Sequence, residues 1–344
     1  MNLNRSQLDE AVATGVLGAE EASRLWEFLV ERAQDTPSFR ATHVLYYLGG
    51  MIAIGAMTLF VTLGWERFGG WGLFSIAIAY GIAGLGLTEF LLNRRRLAIP
   101  AGIAAVFVVA LVPLAVYGVQ AGSGWWEDGR PYREYHTHID WRWMSMEIAT
   151  LVAGALLVAR YRLPFLVLPV AVTLWYMSMD LTPFLFGEDD VNWDRRKMVS
   201  VVFGLFMVAL AVAVDLYSRR DKDFAFWLYI FGVMAFWGGL SAMESDSEMA
   251  KVVYLCINLA MIAVGSLLAR RVFAVFGALG AAGYLGHLAY EVFEDSLWFP
   301  FALTLIGGGV VYLGIVWQRH EATIGEQLRR RLPSALRDLV ERRR

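Results

Sequence analysis

The sequence predicts an all-α, polytopic integral membrane protein, and three observations lead to this class. Of the 344 residues, 58% are hydrophobic and only 18% are charged, with a mean hydropathy of +0.50. Soluble proteins are about 45–50% apolar and about 25% charged. Stretches of about 20 apolar residues, long enough to cross the ~30 Å hydrocarbon core of a bilayer, recur along the chain. These features exclude a soluble enzyme, a disordered chain and, with a single cysteine, a secreted disulfide scaffold.

Ten stretches have the length and hydropathy of a transmembrane helix. The fourth is the shortest, and Arg160 lies at its end. Together they define a predicted transmembrane domain at 44–317, between an N-terminal segment at 1–43 and a tail at 318–344. The ten predicted spans are 44–64, 71–92, 97–119, 146–160, 163–186, 197–217, 224–243, 249–269, 272–292 and 298–317.

The distribution of basic residues gives the predicted orientation. If the N-terminus is inside, 22 of the 30 lysines and arginines fall in inner segments, as the positive-inside rule requires. Ten spans with both termini in the cytoplasm satisfy this pattern, and a bacterial inner membrane is the expected location. The inner turns also share a pattern, because each carries arginine between two apolar helices. Their sequences are LNRRRLAIP, VARYRLPFL, YSRRDKDF and ARRVFAVF.

Both cytoplasmic ends are predicted to be helical. Residues 4–35 form two short helices, the first ending at Gly15 and the second before Pro37. This segment either folds against the membrane domain or docks a protein partner. The tail is basic and amphipathic, which favours binding to the anionic inner leaflet. It lacks the interleaved aromatic residues expected of a nucleic-acid site. The predicted lipid contacts are Arg329, Arg330 and Arg331.

The longest outer loop, 120–145, contains four tryptophans and three residues of the types that ligate metals. Indole rings favour the headgroup region, so the first interpretation of this loop is an interfacial cap. His136, His138 and Asp140 alternate along the chain, and an extended strand would point all three side chains the same way. Imidazole and carboxylate suit zinc or another divalent ion, so a weak metal site is the alternative interpretation.

Ionisable residues inside the predicted spans are the main functional candidates, since a charge at the centre of a span costs about 2.5–3.5 kcal/mol. Asp180 and His287 lie at similar predicted depths, towards the outside. Glu291 shares a helical face with His287, four residues later, and Glu147 lies at the mouth of the fourth span. These residues predict an outward-facing site for a substrate, an ion or a proton. His287 would be its proton switch, and Asp180 a counter-ion or proton acceptor.

A structural interpretation of the polar residues stays open. Asp180 can instead pair with a nearby lysine or tyrosine and hold helices in register. Asn258, near the centre of the eighth span, is expected to hydrogen-bond another helix, and Asp215 to pair with the adjacent Arg219 and Arg220. The glycines inside spans are predicted to be packing seams, because small residues let membrane helices approach closely. Among them are Gly50, Gly84, Gly277, Gly280, Gly283 and Gly286.

The first 90 residues carry a further pattern. A short segment, LDEAVATGVLGAEEASRLWEFL, precedes a glycine-rich first span, YYLGGMIAIGAMTLFVTLGWERFG, with Trp65 at its outer end. This arrangement resembles the start of an uncharacterised bacterial membrane-protein family, domain of unknown function 2157. That family usually has asparagine before the tryptophan, where this chain has Gly64. The resemblance implies a polytopic bacterial membrane protein and no particular reaction.

Three functions are consistent with these observations. The first is a transporter or channel with an outward-facing polar site, and the alternative is a scaffold or accessory subunit that recruits partners through its cytoplasmic termini. An integral-membrane enzyme is less favoured, because no span carries a nucleophile motif or a metalloprotease-type cluster. No cofactor is predicted, since the span-associated histidines lie at opposite faces and could not clamp one haem iron. The bilayer is a predicted partner, and a homo-oligomer is compatible with either function.

Overall fold

The computed structural model describes residues 5–33, 41–126, 141–186, 193–218, 222–243 and 247–288, together with 301, 304–305, 307–308 and 312. Within these ranges the regular structure is helical and includes no strand, which confirms the predicted all-α class. The chain divides into two compact units, Met1–Glu127 and Asp128–Arg344, here called unit 1 and unit 2.

Unit 1 begins with a small helical hairpin and continues with longer apolar helices. Helix α1 covers Arg5–Ala13 and α2 covers Ala19–Ala33, and the hairpin buries Leu8 and Ala22. Gly15 has a φ of 75° in the turn between them, a conformation that glycine adopts without strain. The longer elements are α3 at Ala41–Glu89, a π-helical turn at Phe90–Arg94, α4 at Ala98–Ala110 and α5 at Val112–Gly122.

A glycine divides α3 into two helices. Gly69 has φ 63° and ψ 174°, a combination that is essentially restricted to glycine. The first predicted span lies before this break and the second lies after it. The second half then packs antiparallel against α5: Trp71 Nε1 donates to the carbonyl oxygen of Gly122 at 2.9 Å, and a Cβ added to Gly70 would overlap the same backbone.

Unit 2 is a set of helices arranged as hairpins. Its core is formed mainly by α7, α8 and α9, with Met207, Tyr229 and Val233 fully buried among neighbouring apolar side chains. The helices are α6 at Trp141–Tyr161, a 3₁₀ turn at Pro164–Leu166, α7 at Val167–Phe186, α8 at Trp193–Tyr217, α9 at Phe226–Ser241, α10 at Glu248–Leu267 and α11 at Arg271–His287.

Ring contacts and hydrogen bonds define the direction of these helices. Phe165, just before α7, packs on Trp227 of α9, and Trp175 packs on Phe231 further along, so α7 and α9 run the same way. The Ser241 and Tyr254 hydroxyls hydrogen-bond at 2.8 Å, which places the end of α9 beside the first turns of α10. We call this end of unit 2, where α7 and α9 finish and α10 begins, end A. The opposite end, where α9 and α11 begin, is end B.

Six helical segments are long and apolar enough to cross a membrane, which makes the chain compatible with an integral membrane protein. Two shorter apolar helices, Val44–Phe60 and Phe226–Ser241, accompany them. These eight coincide with eight of the ten predicted spans, and α11 overlaps the ninth. Most of the tenth, 298–317, lies outside the described residues. The six long segments are Arg67–Arg94, Ala98–Gly122, Trp141–Tyr161, Pro164–Leu181, Trp193–Tyr217 and Glu248–Leu267.

Glycines bring the helices of the α8–α9 and α10–α11 hairpins into close contact. In the α8–α9 hairpin, a Cβ added to Gly204 would overlap the backbone nitrogen of Phe236. In the α10–α11 hairpin, a Cβ at Gly280 would overlap the side chain of Asn258. The predicted packing role is therefore confirmed at some glycines and stays a prediction at others. It is confirmed at Gly50, Gly84, Gly277 and Gly280, whereas no described residue lies within 4 Å of a Cβ at Gly283 or Gly286.

The close contact between α8 and α9 at Gly204 leads to a stability prediction with a matched control. Gly204→Ala is expected to lower the free energy of unfolding by about 1–3 kcal/mol, because the added methyl forces two backbones apart. Gly238→Ala is the control, since nothing lies within 4 Å of its Cβ, and alanine gains about 1 kcal/mol of helix propensity over glycine. Thermal unfolding of both variants in one detergent measures the difference. Equal melting temperatures would contradict the close approach at Gly204.

Candidate functional site

The first candidate site is a pair of carboxyl groups on adjacent helices near end A. Glu147 lies in the second turn of α6, and Asp180 lies near the end of α7. Their side chains hydrogen-bond to each other. A carboxylate is only an acceptor, so this contact holds at least one proton. The structure thus joins two of the residues that the sequence predicts for the site.

Glu147 is the more buried member of the pair. Its residue is only 8% exposed, and its Oε2 has no hydrogen-bond partner among the residues that the structure describes. One turn along α6, the buried Thr150 hydroxyl donates to the carbonyl oxygen of Met146 at 2.7 Å. With its proton committed to the backbone, Thr150 offers only acceptor lone pairs. Carboxyl and hydroxyl oxygens of this kind suit a proton or a hard cation.

His287 belongs to a second polar group at end A. It is the last residue of α11, and its Nε2 lies 4.0 Å from Oε1 of Glu248, the first residue of α10. The same Glu248 oxygen accepts a hydrogen bond from Lys251 Nζ at 2.9 Å. The described contacts therefore pair Asp180 with Glu147, and His287 with Glu248. A single site containing both Asp180 and His287 stays a prediction.

Several predicted site residues lie outside the described part of the chain. Among the described residues, no group of three or more His, Cys, Asp and Glu side chains is placed to hold a metal ion. The residues outside it are Glu291, the loop residues His136, His138 and Asp140, and the tail residues Arg329, Arg330 and Arg331.

A charged cluster at end B was not predicted. Arg270, in the turn between α10 and α11, is only 6% exposed. Its Nη2 donates to both carboxylate oxygens of Asp215 on α8, at 2.9 and 2.8 Å. It also binds Asp223, just before α9, through Nη1 at 2.6 Å and Nη2 at 2.9 Å. The guanidinium lies over the ring of Tyr229, 4.6 Å from its centroid.

The positive charge of Arg270 is permanent. Burial acts to lower the pKa of Arg270, but hydrogen bonds and negative charge from Asp223 and Asp215 outweigh it and raise the pKa above its usual range. Arginine is in any case always protonated in proteins. Asp215 therefore pairs with a residue 55 positions along the chain, while the partners predicted for it, Arg219 and Arg220, lie outside the described residues.

Asn258 links α9 and α10 between the two ends. Its side chain is completely buried, accepts a hydrogen bond from Trp237 Nε1 at 3.1 Å and donates to the carbonyl oxygen of Tyr254 at 2.8 Å. The predicted hydrogen bond to another helix is confirmed. The role of Asn258 is structural, because these bonds satisfy both ends of its amide.

Comparison with known proteins finds no family model, no curated protein and no solved structure that matches this chain. The described residues of unit 2 present two chemically different clusters. Near end A, the buried carboxyl pair can hold and exchange a proton or a small cation. At end B, the arginine and two aspartates form ion pairs that join two helix hairpins.

Proposed function

We propose that this protein is a membrane transporter or channel for an ion or small molecule, with Glu147 and Asp180 as its proton or cation site. The observation that carries this proposal is the hydrogen bond between two carboxyl groups on helices long enough to cross a bilayer. Ionisable residues within membrane spans are expensive and are normally functional. A purely structural contact between helices would be made at less cost by an amide or a hydroxyl.

The chemistry of the pair supports proton or cation exchange. With one shared proton the pair carries a single negative charge, because two ionised carboxylates in contact would repel each other. Replacing that proton by a monovalent cation leaves the charge balance unchanged. The Oε2 of Glu147 would supply a further oxygen ligand, and the Thr150 hydroxyl, three residues along the same helix, would offer acceptor lone pairs. His287, Glu248 and Lys251, also at end A, would form the charged surroundings of the entrance.

The proposed topology has ten spans, with both termini in the cytoplasm of a bacterium and end A facing outward. The arginine-bearing inner turns support this orientation. Under it, the carboxyl pair lies on the outer side and the Arg270 cluster on the cytoplasmic side. The bacterial inner membrane is proposed from the likeness of the first 90 residues to the uncharacterised bacterial family.

A scaffold or accessory subunit is the second candidate function. The α1–α2 hairpin favours it, because the hairpin buries Leu8 and Ala22 but leaves apolar side chains exposed on the second helix. Phe28 is 55% exposed, and Leu25 is also exposed. Such a surface can bind a cytoplasmic protein partner.

Reconstitution separates the two functions. Purified protein in liposomes with an entrapped pH-sensitive dye should acidify or alkalinise the lumen when a potassium diffusion potential is imposed, and a parallel assay should follow sodium. The full chain and a variant lacking residues 1–36 are expected to give equal flux above that of protein-free liposomes. Absence of flux from the full chain, together with partner binding that the deletion abolishes, would favour the scaffold.

A further inference from the structure

Three junctions between helices share one backbone conformation. Arg96, Arg162 and Ala269 are the non-glycine residues of the described part with positive φ, at 53°, 52° and 52°. Each is followed by a residue in extended conformation that precedes the next helix. These following residues are Leu97 (φ −103°, ψ 90°), Leu163 (φ −97°, ψ 120°) and Arg270 (φ −113°, ψ 100°).

Arg270 therefore occupies the turn position at which the other two junctions have leucine. In the α6–α7 junction that leucine, Leu163, is only 3% exposed. An apolar side chain thus closes the turn and fills the space beneath it at Leu163, whereas Leu97 closes its turn while 38% exposed. The arginine at position 270 adds ion pairs with Asp215 on α8 and with Asp223 before α9.

We propose that Arg270, Asp215 and Asp223 form a reversible latch that closes end B by holding the α10–α11 hairpin against the α8–α9 hairpin. This inference rests on the proposed transport function, because alternating access requires one end of the pathway to close while the other opens. Release of the latch would allow water and substrate to enter from end B. The carboxyl pair lies towards end A, so the closed latch belongs to a state in which end B is sealed.

The energetics of the cluster suit a contact that breaks and re-forms. A buried ion pair is nearly neutral in stability compared with apolar side chains of the same size, so the closed state is specific without being deeply stabilised. Asp223 provides the entry for water, since its side chain is 41% exposed whereas that of Asp215 is only 2% exposed. The Nε of Arg270 has no partner among the described residues, so water that enters has a buried donor to bind.

The contacts between the two hairpins also provide a pivot. The hydrogen bond between Trp237 and Asn258 joins α9 to α10. Trp237 lies eight residues after Tyr229 on α9, which is about 12 Å along the helix axis. Within each hairpin, close glycine contacts keep the two helices together as one body. Breaking the Arg270 contacts would leave the Tyr229–Phe273 ring contact, 5.7 Å between centroids, as the remaining described ring contact between the hairpins at end B, while the Asn258 bridge holds them further along.

The test measures access to a buried position beside the latch. Ala225 is completely buried and lies two residues after Asp223. In a Cys256→Ser background, detergent-solubilised Ala225→Cys protein is treated with a polar maleimide. Adding Arg270→Leu and Asp215→Leu together removes the latch without leaving a buried unpaired charge. We expect the labelling rate to rise about tenfold or more, the effect of a tenfold larger open population.

Ala235→Cys is the matched control, because Ala235 is also buried on α9 but lies closer to end A. Its labelling rate should change less than about twofold in the Arg270→Leu, Asp215→Leu background, since the Asn258 bridge is intact. Arg270→Lys keeps the charge but loses the two-pronged hydrogen bonding of the guanidinium, and should give an intermediate rate at Ala225→Cys. This variant also serves as the test if the double variant does not fold.

Two results would overturn the latch. Unchanged labelling at Ala225→Cys would show a static ion pair, and equal increases at Ala225→Cys and Ala235→Cys would show general loosening of the bundle. The readout needs no substrate, so its failure is distinct from failure of the proposed function. Flux that depends on Glu147 together with unchanged labelling would retain the transporter and reject the latch.

Discussion

Replacing Glu147 with glutamine is expected to reduce proton or cation flux by about 10- to 100-fold. Glutamine has nearly the same shape and can still hydrogen-bond Asp180, but it has no proton to exchange and no charge to balance a cation. The expected size corresponds to the ~1.5–3 kcal/mol of a hydrogen bond to a charged group. Asp180→Asn should have the same effect, because the two residues act as one site. The measurement is dye-reported flux in liposomes at matched protein content.

Asp194→Asn is the control for this prediction. Asp194 lies in the first turn of α8, is 85% exposed and pairs with Lys197 at 3.2 Å. Its loss removes an acidic group from the same unit without touching the buried pair, so flux should be unchanged. Wild-type flux from Glu147→Gln protein would show that the carboxyl pair only holds α6 and α7 together. Proteins that lose flux must also elute and melt like the wild type, which excludes misfolding as the cause.

The helices could be predicted from the sequence because hydropathy and length together determine them. Eight predicted spans coincide with apolar helices, since burial in lipid requires about 20 apolar residues whatever the tertiary contacts. The break at Gly69 was not predicted, because hydropathy places a polar gap there but does not show the backbone conformation. The first half of α3 ends and the second begins at Gly69, the first of two adjacent glycines, because Gly69 has a positive φ.

The sequence singles out the two residues of the candidate carboxyl pair, but it specifies only in part which polar residues contact each other. Glu147 and Asp180 stand out because carboxyl groups are rare in apolar spans, and the structure joins them. The predicted association of Asp180 with His287 rests on equal depth alone. Depth does not specify which helices are neighbours, and the described contact of His287 is with Glu248 on α10. Helix neighbours depend on interlocking surfaces such as the Gly280–Asn258 contact, which no pattern within one helix reveals.

Arg270 was missed for a different physical reason. Positive residues in inner turns are expected from the positive-inside rule. That rule accounts for an arginine at position 270 without indicating that its side chain is buried and paired. The signal appears when the three turns are aligned at their residue of positive φ. Leucine follows that residue in two of the turns, at Leu97 and Leu163, whereas arginine follows it at position 270. A charged residue in a position that is elsewhere apolar predicts a buried partner. In the structure these partners are Asp215 and Asp223, 55 and 47 positions away along the chain.

Arg270→Ala is accordingly expected to be among the most destabilising single substitutions in unit 2, at about 3–5 kcal/mol. It removes the guanidinium that binds both oxygens of the buried Asp215 carboxylate, and it leaves a cavity beside Tyr229. Thermal unfolding in detergent, or failure to recover a monodisperse protein, measures the effect. Arg271→Ala is the control, because Arg271 is the adjacent arginine but is exposed.

Rescue distinguishes a buried charge from a lost contact. If the cost of Arg270→Ala comes from a buried carboxylate that has lost its guanidinium, Arg270→Leu combined with Asp215→Leu should restore most of the wild-type melting temperature, because the apolar pair has no charge to desolvate. If the cost comes from the ion pair as a stabilising bond, the double variant should be as unstable as Arg270→Ala. Recovery of stability together with faster labelling at end B would mean that the cluster governs which state the hairpins adopt rather than whether they fold.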